Sequence, residues 1–163
     1  MKRKEFSFFL KNVPGELGRL TSLLKKENIH IEAMTIQDAS AYVKALYNAR
    51  GKSLKRIASS ASYESMLRDS NEFALVRLLV DQTEKAAELL AQNDYIFEIT
   101  PVITLYLDGQ SGNMAGDLAE IASKLGEEGI NINTIYGSVA GPDERCLFVF
   151  SPEDIDRAAR CFE

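Results

Sequence analysis

Several residue types are scarce in this chain, and their scarcity excludes several kinds of site. The 163 residues include no tryptophan, two cysteines and one histidine. Cys146 and Cys161 form no CxxC pair and lack a neighbouring histidine cluster, so we expect reduced thiols rather than a disulfide framework or a zinc site. A metal cluster or a catalytic triad would have to be built around the single histidine, His30. The composition therefore predicts no cofactor and no enzyme activity.

Long apolar runs and excess positive charge are also missing. No apolar stretch reaches the roughly 18 residues of a membrane-spanning helix. The run Phe6 to Leu10 is too short for a signal peptide and ends at Lys11. The 24 acidic and 19 basic residues give a net charge of −5, which disfavours nucleic acids and anionic membranes as partners. We expect a cytoplasmic protein that does not bind a membrane.

An internal repeat is the strongest positive signal. Nine residues of the first half have counterparts of the same chemistry 101 positions later. The first set is Gly15, Glu16, Leu17, Leu20, Ser22, Leu24, Glu27, Ile29 and Ile31. The second set is Gly116, Asp117, Leu118, Ile121, Ser123, Leu125, Glu128, Ile130 and Ile132. In both copies the apolar spacing predicts a helix that ends at a polar break before an alternating strand.

The later elements of the two copies align at a smaller offset. The predicted strands Phe73 to Val80 and Arg145 to Phe150 precede the predicted helices Thr83 to Gln92 and Glu153 to Phe162. In these helices the paired alanines are 72 positions apart. The fall from 101 to 72 gives the first copy 29 extra residues, between about Ala39 and Asn71. Within them, apolar spacing on either side of Gly51 predicts two short helices, or one broken helix.

These elements predict an α+β fold of two ferredoxin-like βαββαβ units with antiparallel sheets side by side. The first domain is residues 1–100 with the helical insertion at about 39–71, and the second is residues 101–163. The strand Tyr95 to Thr100 completes the first unit and continues through Pro101 into the strand Val102 to Leu107. The second unit lacks its last strand, which would leave unpaired backbone groups along Val102 to Leu107. We therefore expect a homodimer or a higher oligomer.

The turn before each first helix is a candidate binding site. Pro14 ends the strand, and Gly15 removes a side chain where the first unbonded helix N–H groups emerge. Such a helix N-terminus attracts a carboxylate, and the Asn12 side chain is a candidate acceptor for an ammonium group. The alternative is that this turn only starts a helix.

The sequence Asn12-Val13-Pro14-Gly15-Glu16-Leu17, followed by Asn28-Ile29-His30-Ile31, resembles the signature of ACT domains. Gly116-Asp117-Leu118 and Gly129-Ile130-Asn131-Ile132-Asn133 repeat it. The resemblance covers nearly the whole chain except the insertion. It implies a ferredoxin-like fold and an amino-acid site between paired domains, formed by this turn and a facing second strand.

The resemblance implies two sites. The first consists of Asn12, Val13, Pro14, Gly15, Glu16 and Leu17, faced by Asn131, Ile132 and Asn133. The second consists of Asn113, Met114, Ala115, Gly116 and Asp117, faced by Asn28, Ile29 and His30. The second turn departs from the pattern, because its loop from Asp108 is longer and Ala115 replaces the proline. That loop is either an enlarged pocket or a flexible connector, and His30 is either a pocket wall or an exposed strand residue.

Three functions remain open from the sequence. The first is a regulatory module that binds a free amino acid and acts on a separate enzyme or transporter through altered domain or subunit arrangement. The second is a structural protein-interaction module without a small ligand. It would use the basic part of the insertion, between Asp38 and Glu64, whose charged residues Lys44, Arg50, Lys52, Lys55 and Arg56 are all positive. The third, RRM-like nucleic-acid binding, lacks the basic and aromatic run that it requires.

Overall fold

The computed structural model describes residues 1–50, 60–108, 114–138 and 145–162. Within these ranges the strands are β1 (Lys2–Lys11), β2 (Ile31–Asp38), β3 (Phe73–Val80), β4 (Phe97–Asp108), β5 (Ile132–Ser138) and β6 (Arg145–Pro152). The helices are α1 (Glu16–Lys26), α2 (Ala39–Arg50), α3 (Ser60–Ser70), α4 (Thr83–Gln92), α5 (Met114–Glu127) and α6 (Ile155–Arg160). This order confirms the predicted pair of ferredoxin-like units and the helical insertion in the first unit.

All six strands form one antiparallel sheet in the order β2-β3-β1-β4-β6-β5. The two predicted strands on either side of Pro101 are a single strand, β4. The first half of β4 pairs with β1 of the first unit, and the second half pairs with β6 of the second unit. The predicted division between residues 100 and 101 therefore falls inside a strand that belongs to both units.

Two prolines explain where β4 stops pairing with β6. The pairing ends at Ile103 and Phe150. Continuing the same register by two residues would place Pro101 opposite Pro152, and neither residue has an N–H to donate. On the other edge of β4, the Met1 ammonium group donates to the Thr104 carbonyl oxygen at 2.8 Å, and the Thr104 N–H donates to the Met1 carbonyl oxygen at 2.9 Å. The predicted open edge is therefore limited to the part of β4 after Thr104.

The internal repeat extends to backbone conformation. After α1, Asn28 has a φ of 54°, and the Ile29 N–H donates to the Leu24 carbonyl oxygen at 3.0 Å. After α5, Gly129 has a φ of 65°, and the Ile130 N–H donates to the Leu125 carbonyl oxygen at 2.9 Å. Asparagine and glycine are the residues that tolerate this left-handed position best. Both predicted polar breaks are thus helix C-caps of the same type.

Each unit has its own core between its helices and one face of the sheet. In the first unit, Leu20 and Leu24 of α1 are buried against β1, β3 and α4. In the second unit, Ile121 and Leu125 of α5 are buried against β4, β6 and α6. These are the residues that the repeat paired, so the predicted helix faces are confirmed.

A third core joins the two units through the sheet faces opposite α1, α4, α5 and α6. Its members are Ala33, Leu79, Val102, Leu147 and Val149, with Tyr136 packed against them. Strands β2 and β5 come into contact although they are at opposite ends of the strand order. The sheet is therefore curled, so that its two halves face each other across this third core.

The insertion helices pack together and against β3. The end of β2 continues directly into α2, where Asp38 accepts hydrogen bonds from the Ser40 N–H at 2.8 Å and the Ser40 hydroxyl at 3.0 Å. These bonds hold the pKa of the Asp38 carboxyl below its usual value. Asp38 thereby caps α2 in the manner typical of helix N-termini. The predicted break at Gly51 and the basic residues Lys52, Lys55 and Arg56 lie outside the described residues.

Two predicted helix starts differ from the structure. Helix α5 begins at Met114, so Ala115 and Gly116 belong to its first turn rather than to the preceding loop. Helix α6 begins at Ile155 instead of Glu153, because the Asp154 side chain accepts a hydrogen bond from the Arg157 N–H at 3.0 Å. A side-chain cap of this kind fixes the start of a helix.

Candidate functional site

The turn after β1 leads into α1 through a left-handed glycine. Gly15 has a φ of 97° and occupies the N-cap position without a side-chain hydrogen bond to the helix. The Arg19 N–H donates to the Gly15 carbonyl oxygen at 2.9 Å, and the Glu16 N–H is 3.4 Å from the Val13 carbonyl oxygen. A Cβ built at Gly15 would meet no atom of the described residues within 4 Å. Within the described part of the chain the space beside Gly15 is therefore open, and the glycine is required for its backbone conformation.

A cleft of about 680 Å³ lies beside this turn, and we call it the turn cleft. It is enclosed by the ends of β1 and β3, the first turn of α1 and the turn that precedes β4. Its lining residues are Phe9, Leu10, Lys11, Glu16, Arg19, Phe73, Asn93, Asp94, Tyr95 and Ile96. The volume is in the range of small-molecule sites in proteins.

Tyr95 has the most unusual side-chain environment of the residues that line the turn cleft. Its ring packs edge-on against Phe8, with the ring centroids 5.8 Å apart. Its hydroxyl oxygen is buried and has no hydrogen-bond partner among the described residues. Burial raises the pKa of this hydroxyl, the Glu16 carboxylate raises it further, and the Arg19 guanidinium opposes the rise. A buried hydroxyl without a partner is uncommon and costs about 1–3 kcal/mol.

Charges of both signs line the turn cleft. Lys11 and Arg19 supply cations, and Glu16 and Asp94 supply carboxylates. Free amino acids carry one charge of each sign. The cleft can therefore complement a zwitterion, with the Tyr95 hydroxyl as an additional hydrogen-bonding group.

Exposed apolar side chains surround the same cleft. Ile96 is 92% exposed, Phe9 60% and Val13 53%, and the ring of Phe73 packs edge-on against Phe9. Large exposed apolar groups that adjoin one another are typical of binding surfaces.

The other predicted residues of the first site lie in several environments. Asn12 is exposed, and its N–H donates to the Glu72 carbonyl oxygen at 2.8 Å. Leu17 packs against the first core. Asn131 precedes β5, and its carbonyl oxygen accepts from the Glu153 N–H at 2.9 Å, while Ile132 packs against the second core. Asn133 lines a different cavity from Glu16.

The second predicted site is described only in part. Asn113 lies outside the described residues, and Met114 to Asp117 form the first turn of α5. Ile29 is buried in the first core. The His30 N–H donates to an Asp81 carboxylate oxygen at 2.9 Å. Burial acts to raise the pKa of Asp81, but this bond and other hydrogen bonds lower it below its usual value. These contacts hold the start of β2 against the end of β3.

Asn133 lines a second cavity, of about 510 Å³, which we call the inter-unit cavity. Its lining residues are Phe9, Gln37, Ala39, Tyr42, Val43, Ser70, Leu75, Arg77, Asn133 and Thr134. They come from the sheet face of the first unit opposite α1 and α4, from the insertion helices and from the start of β5. Phe9 lines both cavities, and it shares the turn cleft with Glu16 and the inter-unit cavity with Asn133.

A buried hydrogen-bonded group lies next to the inter-unit cavity. Glu5 is fully buried, and its two carboxylate oxygens accept from Arg77 Nη1 at 3.0 Å and from the Tyr136 hydroxyl at 2.6 Å. Burial and the bond to Glu5 raise the pKa of Tyr136, so this tyrosine remains a donor. The three residues connect β1 and β3 of the first unit with β5 of the second.

Sequence reasoning found Glu16 but missed Arg19 and Tyr95 as site residues. Arg19 lies three residues after Glu16 on a predicted helix, a spacing that places both side chains on one face. That spacing is a signal in the sequence. Tyr95 carries no local signal, because its proximity to Glu16 depends on the pairing of β4 with β1.

The two units, their capped helices and the glycine turn before α1 define an ACT-like fold. Three solved structures with high coverage have this fold. A protein of Bacteroides thetaiotaomicron, BT0572, matches at 25% identity with a TM-score of 0.69, over 99% of this chain and 87% of that one. The regulatory subunit of aspartate kinase from Thermus thermophilus matches at 11% identity with a TM-score of 0.56, over 99% and 92%. An aspartokinase structure with alpha and beta subunits matches at 13% identity with a TM-score of 0.55, over 99% and 93%.

These similarities establish the fold alone. No protein-family model matches the sequence, and no curated protein matches it significantly. Among the described residues, none of the helices has the length and apolar character needed to cross a membrane.

Proposed function

We propose that this chain is a non-catalytic regulatory protein that binds a free amino acid in the turn cleft. The observation that carries the proposal is the Tyr95 hydroxyl, which is buried without a partner among the described residues and lines the same cleft as Glu16 of the first turn of α1. A ligand that hydrogen-bonds to Tyr95 would remove the cost of its missing partner. That an aspartate kinase regulatory subunit has the same fold supports a regulatory role.

The proposed pose uses both charges of the amino acid. Its carboxylate would accept from the first N–H groups of α1 and from the Arg19 guanidinium, where the helix dipole also favours an anion. Its ammonium would lie near Glu16, Asp94 or the Asn12 side chain. Val13, Pro14 and Leu17 would form the rest of the binding turn, as the resemblance to ACT domains implies.

A second copy of the chain is the proposed cover of the turn cleft. Ile96 and Val13 are strongly exposed beside it, and burying such apolar groups favours association. In a homodimer, the strand that faces the turn, Asn131 to Asn133, would come from the partner. The equivalent site at Met114 to Asp117, with Asn113 and the segment Asn28 to His30, is proposed as a second, weaker site.

Ligand binding would act by changing the arrangement of the units or subunits, and through it the affinity for an enzyme or a transporter in the cytoplasm. Because Phe9 lines both the turn cleft and the inter-unit cavity, a ligand that moved this ring would affect the contact between the units.

A thermal-shift screen with the twenty common amino acids at millimolar concentration tests the proposal. A ligand at 100 times its Kd stabilises the folded protein by about 2.7 kcal/mol. We expect one amino acid, or a few related ones, to raise the melting temperature, and Arg19→Gln to reduce the effect strongly. Glu88→Gln on the exposed face of α4 is the matched control. If no amino acid shifts the melting temperature of the folded protein, the proposal is wrong.

The alternative function is a protein-interaction module without a small ligand. The exposed Ile96 and Phe9 also fit this alternative. The same screen separates the two, because a pure interaction module gains no stability from any amino acid.

A further inference from the structure

The inter-unit cavity lies between the two units and against the insertion helices α2 and α3. Its described lining residues include none from the first turn of α1. Its floor is a row of residues across three strands, on the sheet face opposite α1 and α4. In this row Leu75 of β3 pairs with Gln37 of β2 on one side and with Phe9 of β1 on the other. Arg77 lies in the next row of the same face, opposite Thr35. Its walls are α2 on one side and the start of β5 on the other.

Aromatic rings and amide groups distinguish the lining of this cavity. The rings of Phe9 and Tyr42 are each 60% exposed. The side-chain amides of Gln37 and Asn133 each offer a donor and an acceptor, and Thr134 adds a hydroxyl. Proteins commonly bind a planar heteroaromatic ring with such a pair of groups. An aromatic side chain stacks on the face of the ring, and an amide side chain forms hydrogen bonds with its edge.

The charge of the described lining residues disfavours an ionic ligand. Arg77 is the cationic residue among them, and it is already paired with the buried Glu5 carboxylate at 3.0 Å. The pair is neutral as a whole, so it does not attract a phosphate strongly. A guanidinium has five N–H donors in all, which leaves capacity for a neutral carbonyl or ring nitrogen.

We propose that the inter-unit cavity binds a neutral planar heteroaromatic molecule, a nucleobase or its nucleoside. The ring would stack on Phe9 or Tyr42, and the amides of Gln37 and Asn133 would contact its edge. Arg77 would donate to a ring nitrogen or a carbonyl oxygen. This site is separate from the proposed amino-acid site, with which it shares only Phe9.

Binding here would also respond to the arrangement of the two units. The cavity needs Gln37 and Arg77 from the first unit and Asn133 from the second. The hydrogen bond from Tyr136 to Glu5 fixes the distance between these parts. A ligand in the cavity therefore favours the arrangement in which the units are closed against each other.

Equilibrium dialysis of the full chain with adenine, adenosine, guanosine, cytidine and AMP tests the proposal. We expect at least one base or nucleoside to bind, and AMP to bind more weakly than adenosine because the described lining residues include no unpaired cation. Gln37→Leu, which keeps the side-chain volume, and Tyr42→Ala should each weaken binding at least about fivefold. Both residues are exposed, so neither variant endangers the fold. Glu88→Gln should bind like the wild type.

Three results would overturn the proposal. The first is no binding of any of the five compounds to the folded chain. The second is binding that Gln37→Leu and Tyr42→Ala both leave unchanged. The third is binding that Arg19→Gln removes, because the bound compound would then occupy the turn cleft. An amino-acid response in the thermal-shift screen without nucleoside binding rejects this proposal alone.

Discussion

The Tyr136 hydroxyl donates to the buried Glu5 carboxylate at 2.6 Å, across 131 positions of sequence and between the two halves of the chain. Glu5 lies on β1 and Tyr136 on β5, so this bond connects an inner strand of the first unit with the edge strand of the second. Burying a carboxylate requires compensating hydrogen bonds, and Arg77 supplies the other one.

Tyr136→Phe should destabilise the protein by about 1–3 kcal/mol, because it leaves a buried carboxylate oxygen without its donor. Urea unfolding monitored by far-UV circular dichroism measures the loss. Tyr106→Phe is the matched control, since Tyr106 lies on the same face of the sheet with about half of its side chain exposed. Equal effects of the two substitutions would show that the Glu5 bond contributes nothing specific.

Replacing the two glycines near the first turn by alanine should change the stability of the protein in opposite directions. Gly15→Ala should lower the stability by roughly 1–2 kcal/mol, because a φ of 97° is unfavourable for any residue with a Cβ. Gly18→Ala, within α1 and with open space around its Cβ position, should raise it by about 0.5–1 kcal/mol. Differential scanning calorimetry of the two variants provides the comparison. A stabilising Gly15→Ala would contradict the assigned left-handed conformation.

The cap of α2 should contribute to stability in a pH-dependent way. The hydroxyl and the N–H of Ser40 lower the pKa of Asp38. A carboxyl with a lowered folded-state pKa stabilises the protein fully above its unfolded value of about 3.9, and the contribution is lost as the pH falls through the folded value. Asp38→Asn keeps a good cap and removes the titration. The difference in urea midpoint between this variant and the wild type should therefore change below about pH 4 and remain constant between pH 6 and 8.

Tyr95→Phe should separate stability from binding. Removing a buried hydroxyl that has no partner in the described part of the chain should leave the ligand-free protein equally stable or more stable, by up to about 1–2 kcal/mol. The same change should weaken the binding of the amino acid found by the thermal-shift screen. If Tyr95→Phe destabilises the ligand-free protein, the hydroxyl has a structural hydrogen-bond partner and the account of the turn cleft is wrong.

The sequence predicted much of the fold because the duplication places chemically equivalent residues at constant offsets. Leu20 and Leu24 predicted their counterparts Ile121 and Leu125, and all four are buried. The fusion of two strands into β4 and the curling of the sheet were not predicted. They depend on long-range pairing and on contacts such as Tyr136 with Glu5, for which local periodicity contains no information.

The candidate site was predictable only where it is local. The Pro14-Gly15 turn is a short-range pattern, and the structure places it at an open helix N-terminus. Tyr95 is 80 positions from Gly15 and reaches the turn cleft only because β4 pairs with β1. Asn133 was assigned to the same site as Glu16, whereas within one chain the two residues line different cavities.

The most direct test of the central claim is a ¹H–¹⁵N correlation spectrum of the full chain during titration with the amino acid that gives the largest thermal shift. The proposed site predicts saturable shifts that are largest at the backbone amides of Glu16, Leu17 and Gly18 and at the side chain of Arg19. Arg19→Gln should weaken this binding at least about tenfold, as expected for loss of a charged hydrogen bond. Saturable shifts confined to other regions, or none at the start of α1, would contradict amino-acid binding in the turn cleft.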